Sequence, residues 1–302
     1  MKEIEHIDLK NLNGYIKKTP LSHYKDSNNN DIYVKEESFN PSGSIKDRVF
    51  YYVLSTLKNE GKIKRNTLVT LASSGNAAIS LAKMAPIFDI NVVLFLPNST
   101  TNERRKILSL TNAKLLYIAG KMEDCSKIAQ NYADENEGIY LDQFSNELFL
   151  SSHQDTSKEI FDDLDDIDYA ILTSGSGVTI SALGRRLKEH YPNLKIIAYE
   201  LEEAKFITQK KFFPHKIEGI GPNFTPKNLN ASLIDKTISL PQEHILSYCQ
   251  KLYSLGYNYG PSTVGCFLAI KSLSLQNKHI LIVSYDNADK YLTALINEKE
   301  EN

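Results

Sequence analysis

The feature that most constrains this chain is an alternation. Short β-branched apolar runs are separated by stretches with helical periodicity. Leu68–Leu71, Val92–Leu96, Leu115–Ile118, Tyr169–Thr173, Ile196–Ala198 and Ile280–Val283 read as strands. They are nearly continuous in apolar residues rather than alternating, which implies burial on both faces. Between them, Asp47–Lys58 carries Val49, Phe50, Val53, Leu54 and Leu57 on one stripe. Ala77–Ala85 reads as a helix that Pro86 stops, and Ile180, Leu183 and Leu187 mark one face of another. Strand and helix in alternation fold as parallel α/β sheets covered by helices. At 302 residues there is enough chain for two packed lobes. No linker marks a boundary, so the lobes are expected to be interleaved. Asn28–Asp31 reads as a turn-rich surface loop, and the tail after Ile296 as frayed.

Charge excludes whole classes of function. Thirty-five basic against thirty-seven acidic residues leave no global field for nucleic acid or an anionic membrane. An anionic ligand must be held locally, by backbone donors or single side chains. Cys125, Cys249 and Cys266 are an odd, widely spaced set, which fits a reducing compartment and no disulfide scaffold. The start, Met1–His6, is polar and lacks an apolar signal region, so a cytoplasmic location is expected. Seven scattered histidines without a paired spacing give no metal site.

Three loops carry the chemistry. In Asn40-Pro41-Ser42-Gly43-Ser44-Ile45-Lys46-Asp47-Arg48, a small-residue loop runs into a helix near Asp47. Lys46 stands at that helix entrance, where positive potential lowers an amine's pKa and favours its neutral, nucleophilic form. In Ser73-Ser74-Gly75-Asn76, strand, glycine turn and helix make a nest of amides suited to a carboxylate or phosphate. In Ser174-Gly175-Ser176-Gly177-Val178-Thr179 the same design recurs after another strand. Taken singly, each loop also reads as a capped turn, and Lys46 as a solvated lysine. Jointly, one lysine, one carboxylate nest and one phosphate loop are what pyridoxal phosphate chemistry requires.

On these residues the chain resembles the fold type II pyridoxal phosphate enzymes, and within them the cysteine synthase (O-acetylserine sulfhydrylase) and cystathionine β-synthase group. Lys18-Thr19-Pro20-Leu21, Glu103-Arg104-Arg105-Lys106, Gly120-Lys121-Met122, Asp142-Gln143-Phe144-Ser145-Asn146 and Gly219-Ile220-Gly221 with Phe224 and Pro226 extend the likeness over nearly the whole chain. The resemblance implies a two-lobed, three-layer αβα fold like the tryptophan synthase β subunit. Residues 1–39 plus 149–302 would form the larger cofactor lobe and 40–148 the smaller mobile lobe. It implies pyridoxal 5'-phosphate held by Lys46, Asn76, Gly175, Ser176, Gly177, Val178, Thr179 and Asn287, with Lys46 catalytic. It also implies a substrate carboxylate held by Ser73, Ser74, Gly75, Asn76 and Gln143, and a homodimer.

The activity implied is β-replacement on a serine-type amino acid such as O-acetylserine, through an α-aminoacrylate. Release of sulfide or pyruvate from cysteine or serine, an amine nucleophile, and a weakly active binding relative are the alternatives. Four departures bear on this. Val178 replaces a loop glycine, and Ala77-Ala78 replace Thr-Gly. Asn223 stands where relatives carry Gly or Asp. Asn287, four residues before Tyr291, takes the place expected for a hydroxyl against the pyridine nitrogen, with Ser284 the fallback. Asp286 in that place would protonate the ring.

Overall fold

A computed structural model describes residues 14–296. The readings made on Met1–His6 and on the tail after Ile296 lie outside the described residues. In order the chain runs β1 (Leu21–Lys25), β2 (Asp31–Lys35), α1 (Lys46–Asn59), β3 (Leu68–Ala72), α2 (Asn76–Phe88), β4 (Asn91–Pro97), α3 (Asn102–Ser109), β5 (Lys114–Ile118), α4 (Met122–Glu135) and β6 (Ile139–Tyr140). It continues through α5 (Gln154–Asp163), β7 (Tyr169–Thr173), α6 (Val178–His190), β8 (Lys195–Leu201), β9 (Lys236–Leu240), α7 (Gln242–Ser254), α8 (Pro261–Ser272), β10 (His279–Val283) and α9 (Leu292–Leu295).

The described residues form two compact units that share the chain. One holds Asn40–Ser42 and Lys46–Asp142, with the described residues up to Lys17. The other holds Lys18–Phe39, Gly43–Ile45 and everything described from Gln143 onward. The chain therefore changes unit immediately before Lys46.

The first unit is built on a four-stranded parallel sheet in the order β5-β4-β3-β6. Leu71 in β3 stands beside Leu94 in β4, and both are buried. The helix α1 buries the expected stripe, Val49, Phe50, Val53, Leu54 and Leu57. α2 is buried on nearly all sides, which its small residues permit. Pro86 does not stop α2. The helix runs on to Phe88 and ends at Asp89, whose left-handed φ of 53° returns its N–H to the Ala85 carbonyl. Pro86 lacks the N–H that would reach the Ala82 carbonyl, and buried Ala85 and Phe88 hold that last turn in place.

The second unit is built on a six-stranded sheet in the order β1-β2-β10-β7-β8-β9. Only β1 is antiparallel to its neighbour. At its centre Ile280, Leu281, Ile282 and Val283 of β10 and Ala170, Ile171 and Leu172 of β7 are fully buried. The parallel arrangement brings the C-terminal ends of β10, β7 and β8 to one edge, where ligands bind in open α/β sheets.

The strands absent from the sequence reading, β1, β2, β6 and β9, are short or polar. β1, β6 and β9 lie at sheet edges, where one face suffices and the apolar run disappears. β2 ends in Lys35, a fully buried lysine whose Nζ reaches Glu159 Oε2 at 2.6 Å and the Thr19 carbonyl at 2.7 Å.

Candidate active site

In the first unit, Lys46 is the first residue of α1, one earlier than the sequence suggests. The loop ahead of it is tied down by Asp47, whose carboxylate accepts from Ser42 N at 2.6 Å and from Ser42 Oγ at 2.5 Å. Burial pushes the Lys46 amine from 10.5 down to about 8. The sequence anticipates the direction, but the cause is desolvation rather than the helix-entrance potential.

The Ser73–Asn76 loop follows β3 in the same unit. Ser73 N donates to the Phe95 carbonyl, and Gly75 N donates to Ser73 Oγ at 3.2 Å. Gly75 is the N-cap of the thirteen-residue α2, with no side-chain cap and no acidic residue in the first turn. The remaining amides of that turn are left to other acceptors. Ala77 and Ala78, which replace the expected Thr-Gly, are buried in the first turn of α2. Arg104 of α3, 1% exposed, lies against this loop, with Nη1 3.0 Å from where a Cβ on Gly75 would stand.

In the second unit, the Ser174–Thr179 loop joins β7 to α6. It is packed backbone to backbone. A Cβ on Gly175 would stand 2.0 Å from the Gly219 carbonyl oxygen. One on Gly177, at φ +81°, would stand 2.6 Å from Leu229 N. Gly221 N donates to the Ser174 carbonyl at 3.2 Å. Val178 is the first residue of α6, so a side chain there is harmless, and the positive φ falls on Gly177 instead. α6 has no acidic residue in its first turn. Ser174 Oγ is buried without a hydrogen-bond partner among the described residues. A helix N-terminus, the buried hydroxyls of Ser176 and Thr179 and the orphaned Ser174 hydroxyl together fit a phosphate monoester.

The end of β10 gathers the other groups. Ile45 N donates to the Tyr285 carbonyl at 3.0 Å, and Ser44 bridges Asp286, so the residues just before Lys46 are laced to this strand end. Tyr291 Oη donates to Asp286 Oδ2 at 2.6 Å and lies 3.3 Å from the Glu218 carbonyl, next to Gly219, on which Gly175 packs. Ser284 Oγ lies 2.9 Å from Ser38 Oγ and also bonds Glu36, whose carboxyl burial pushes upward. Asn287 Nδ2 lies 3.5 Å from a Cβ position on Gly43, and Lys290 Nζ donates to the Gly43 carbonyl at 2.9 Å. Gln143 is buried, its carbonyl accepting from Asn228 Nδ2 at 3.1 Å. Next to it the Phe144 and Phe224 rings meet edge to face at 4.9 Å. Asn223 is half-buried beside Phe224.

Two further groups escape the sequence reading. Arg104 is one. The other is the pair Ser262 and Thr263 at the start of α8, buried at 4% and 0% exposure. Thr263 Oγ1 accepts from Tyr285 N at 3.0 Å. Gly260-Pro261 ahead of them is a helix-start signal that would have found a fourth loop of this design. Among the described residues no cluster of His, Cys, Asp and Glu is arranged for a metal ion, and no helix is long and apolar enough to cross a membrane.

The family model described as "pyridoxal-phosphate dependent enzyme" matches residues 12–286. A cysteine synthase of Flavobacterium sp. is 31% identical over 227 residues, 74% of each chain. Among solved structures, O-ureido-L-serine synthase superposes with a TM-score of 0.90 at 26% identity, over 96% of this chain and 95% of that one. A hydrogen sulfide-producing enzyme of Fusobacterium nucleatum gives 0.88 at 27% identity, over 100% and 94%.

Proposed function

The chain belongs to the pyridoxal-phosphate dependent enzymes, and from that premise we propose that it exchanges the β-substituent of a serine-type amino acid, O-acetylserine or a close analogue, for a sulfur nucleophile. The observation that carries this reading is Lys46, an amine brought down to about 8 at the head of α1. An ordinary lysine is almost wholly protonated at neutral pH. One near 8 is neutral often enough to act as nucleophile and base.

Lys46 would hold pyridoxal 5'-phosphate at its aldehyde end, and the amides and hydroxyls of Ser174–Thr179 would hold the phosphate. When bound, the cofactor supplies an aldehyde for amines and a ring that takes up the electron pair released at the substrate's Cα. For the ring nitrogen we favour Thr263 over Asn287. Its hydroxyl accepts from Tyr285 N and keeps a proton to give, whereas the Asn287 amide lies against Gly43 and Ser284 is engaged with Ser38 and Glu36. A neutral hydroxyl there leaves the ring unprotonated, which favours loss of a β-substituent over transamination. Ser73, Ser74, Gly75, Asn76 and Gln143 bind the substrate carboxylate and orient Cα. Lys46 Nζ, freed by the substrate amine, removes the Cα proton, holds it while the β-group leaves, and returns it once the nucleophile has added.

A second reading, release of sulfide from cysteine, is favoured by the likeness to the sulfide-producing enzyme along the whole chain. One experiment separates the two. The holoenzyme is titrated with O-acetylserine, O-phosphoserine, cysteine and serine while its visible absorption is followed, and then sulfide is added. Cysteine made from O-acetylserine and sulfide supports β-replacement. Sulfide evolved from cysteine alone supports the second reading. A spectrum that responds to none of the four ends both.

A further inference from the structure

We propose that Tyr285 is a positioning residue for the cofactor. Its hydroxyl fixes where the Ser174–Thr179 loop begins and its backbone N–H fixes the Thr263 hydroxyl, so that phosphate and ring nitrogen are seated at a set separation. This role rests on the reading of Ser174–Thr179 as the phosphate loop and of Thr263 as the partner of the ring nitrogen. It adds the residue through which the two act together.

The ladder between β10 and β7 ends at Ile282 and Ile171. Two residues further along β7, the buried Thr173 donates its N–H to Tyr285 Oη instead, at 3.1 Å. A phenol thus takes the place of a strand at the last residue of β7, from which the phosphate loop departs. Thr173 Oγ1 donates to the Tyr199 carbonyl at 3.0 Å and Gly221 N to the Ser174 carbonyl at 3.2 Å, so the loop's first residues are held from β8 as well. The backbone of the same tyrosine makes two more bonds. Its N–H goes to Thr263 Oγ1 in α8 at 3.0 Å, and its carbonyl accepts from Ile45 N at 3.0 Å, one residue before Lys46. Tyr285, Thr173, Thr263 and Ile45 all lie in the second unit. A pyridine ring is rigid and fixes how far its nitrogen stands from its phosphate arm. Anchors already at that separation bind it with less ordering than two independent loops would need. Phenylalanine would fill the same space but leave a buried N–H unpaired where the loop begins. Burial pushes the phenol's pKa well above its ordinary value, so the hydroxyl stays un-ionised while it accepts from Thr173.

The test titrates apoprotein of wild type and Tyr285→Phe with pyridoxal 5'-phosphate and with pyridoxal, which lacks the phosphate, and follows visible absorption. Wild type is expected to bind the phosphate ester more tightly. Tyr285→Phe should weaken pyridoxal 5'-phosphate about tenfold or more and pyridoxal less than about twofold. The absorption maximum of the bound ester should stay where wild type has it, because residue 285 still donates its N–H to Thr263. Equal losses for both ligands, or no loss for either, would overturn the proposal by leaving the hydroxyl a purely structural group. A shifted maximum with the preference unaltered would overturn it too, by moving the effect to the ring. If Tyr285→Phe fails to fold, hydrogen exchange on wild type decides. The Thr173 amide should exchange more slowly when saturated with the phosphate ester than with pyridoxal, because coupling between the bond and the phosphate is reciprocal. Equal protection counts against the proposal. A wild type indifferent to the phosphate sinks the loop's assignment itself, a result distinct from one in which wild type discriminates and Tyr285→Phe discriminates equally.

Discussion

A lysine amine held near 8 is a cost that the unliganded fold bears for its chemistry. The sign follows from the shift. The folded value lies below the ordinary 10.5, so folding disfavours the charged form. No penalty applies above the unfolded value. The penalty grows as pH falls from 10.5 toward 8 and is complete below that. Lys46→Met should therefore stabilise the cofactor-free protein at pH 7, by up to about 3 kcal/mol on the scale of 1.36 kcal/mol per unit, as chemical denaturation would record. The same variant should lose covalent cofactor binding, visible as the loss of borohydride-trapped label at residue 46. Uptake of pyridoxal 5'-phosphate by wild-type apoprotein should accelerate with pH around a midpoint near 8. A midpoint near 10.5 would mean that the amine is solvated. The identity of this lysine was legible in Asn40–Arg48, because a glycine-serine loop entering a helix is a local signal. Arg104 was not legible, since an arginine in Glu103–Lys106 looks the same whether it faces water or a buried loop.

At the level of elements, a strand, a turn and a helix N-terminus are repeated at Ser73–Asn76 and Ser174–Thr179, and at the start of α8 a glycine precedes the helix in the same way. Each repeat has a glycine under close packing, against backbone at Gly175 and Gly177 and against the side chains of Arg104 at Gly75 and Asp286 at Gly260. Gly175→Ala would set a methyl 2.0 Å from the Gly219 carbonyl oxygen. That should cost upwards of about 2 kcal/mol and reduce affinity for the cofactor phosphate, measurable by thermal denaturation and cofactor titration. Thr263→Val removes the hydroxyl proton and also the acceptor of the buried Tyr285 N–H, so it should alter the bound cofactor's spectrum and lower the melting temperature, at a cost of about 1–3 kcal/mol. The buried pair Lys35–Glu159 behaves oppositely. Lys35→Met leaves a largely buried carboxylate without its cation, with Thr19 N still donating to it at 3.2 Å, and should cost about 3 kcal/mol in denaturant titration. The helices α1, α2 and α6 and the strands β3, β4, β7, β8 and β10 were readable because their apolar pattern is local. The edge strands β1, β6 and β9 were not, because short or half-exposed strands carry no such run, and Pro86 was misleading because the packing of buried Ala85 and Phe88 holds the turn despite the one N–H that proline lacks.

At the scale of the whole molecule, we expect a homodimer, for which light scattering should report about twice 34.1 kDa; a monomer would remove that expectation without touching the site. Pyridoxal 5'-phosphate should raise the melting temperature as RT ln(1 + [L]/Kd) requires, and more than pyridoxal does, because the phosphate loop engages only the former. By itself the sequence determined the class of fold, the place of Lys46 at a helix start and the two strand–turn–helix loops. All of these are short-range patterns in which residue type dictates backbone conformation within a few positions. Only the tertiary structure decided which unit each loop belongs to, that desolvation rather than helix potential lowers Lys46, that Thr263 meets the end of β10, and that Arg104 lies on Gly75. Those facts join residues far apart in the chain through packing, and burial and charge pairing exist only once the chain has closed on itself.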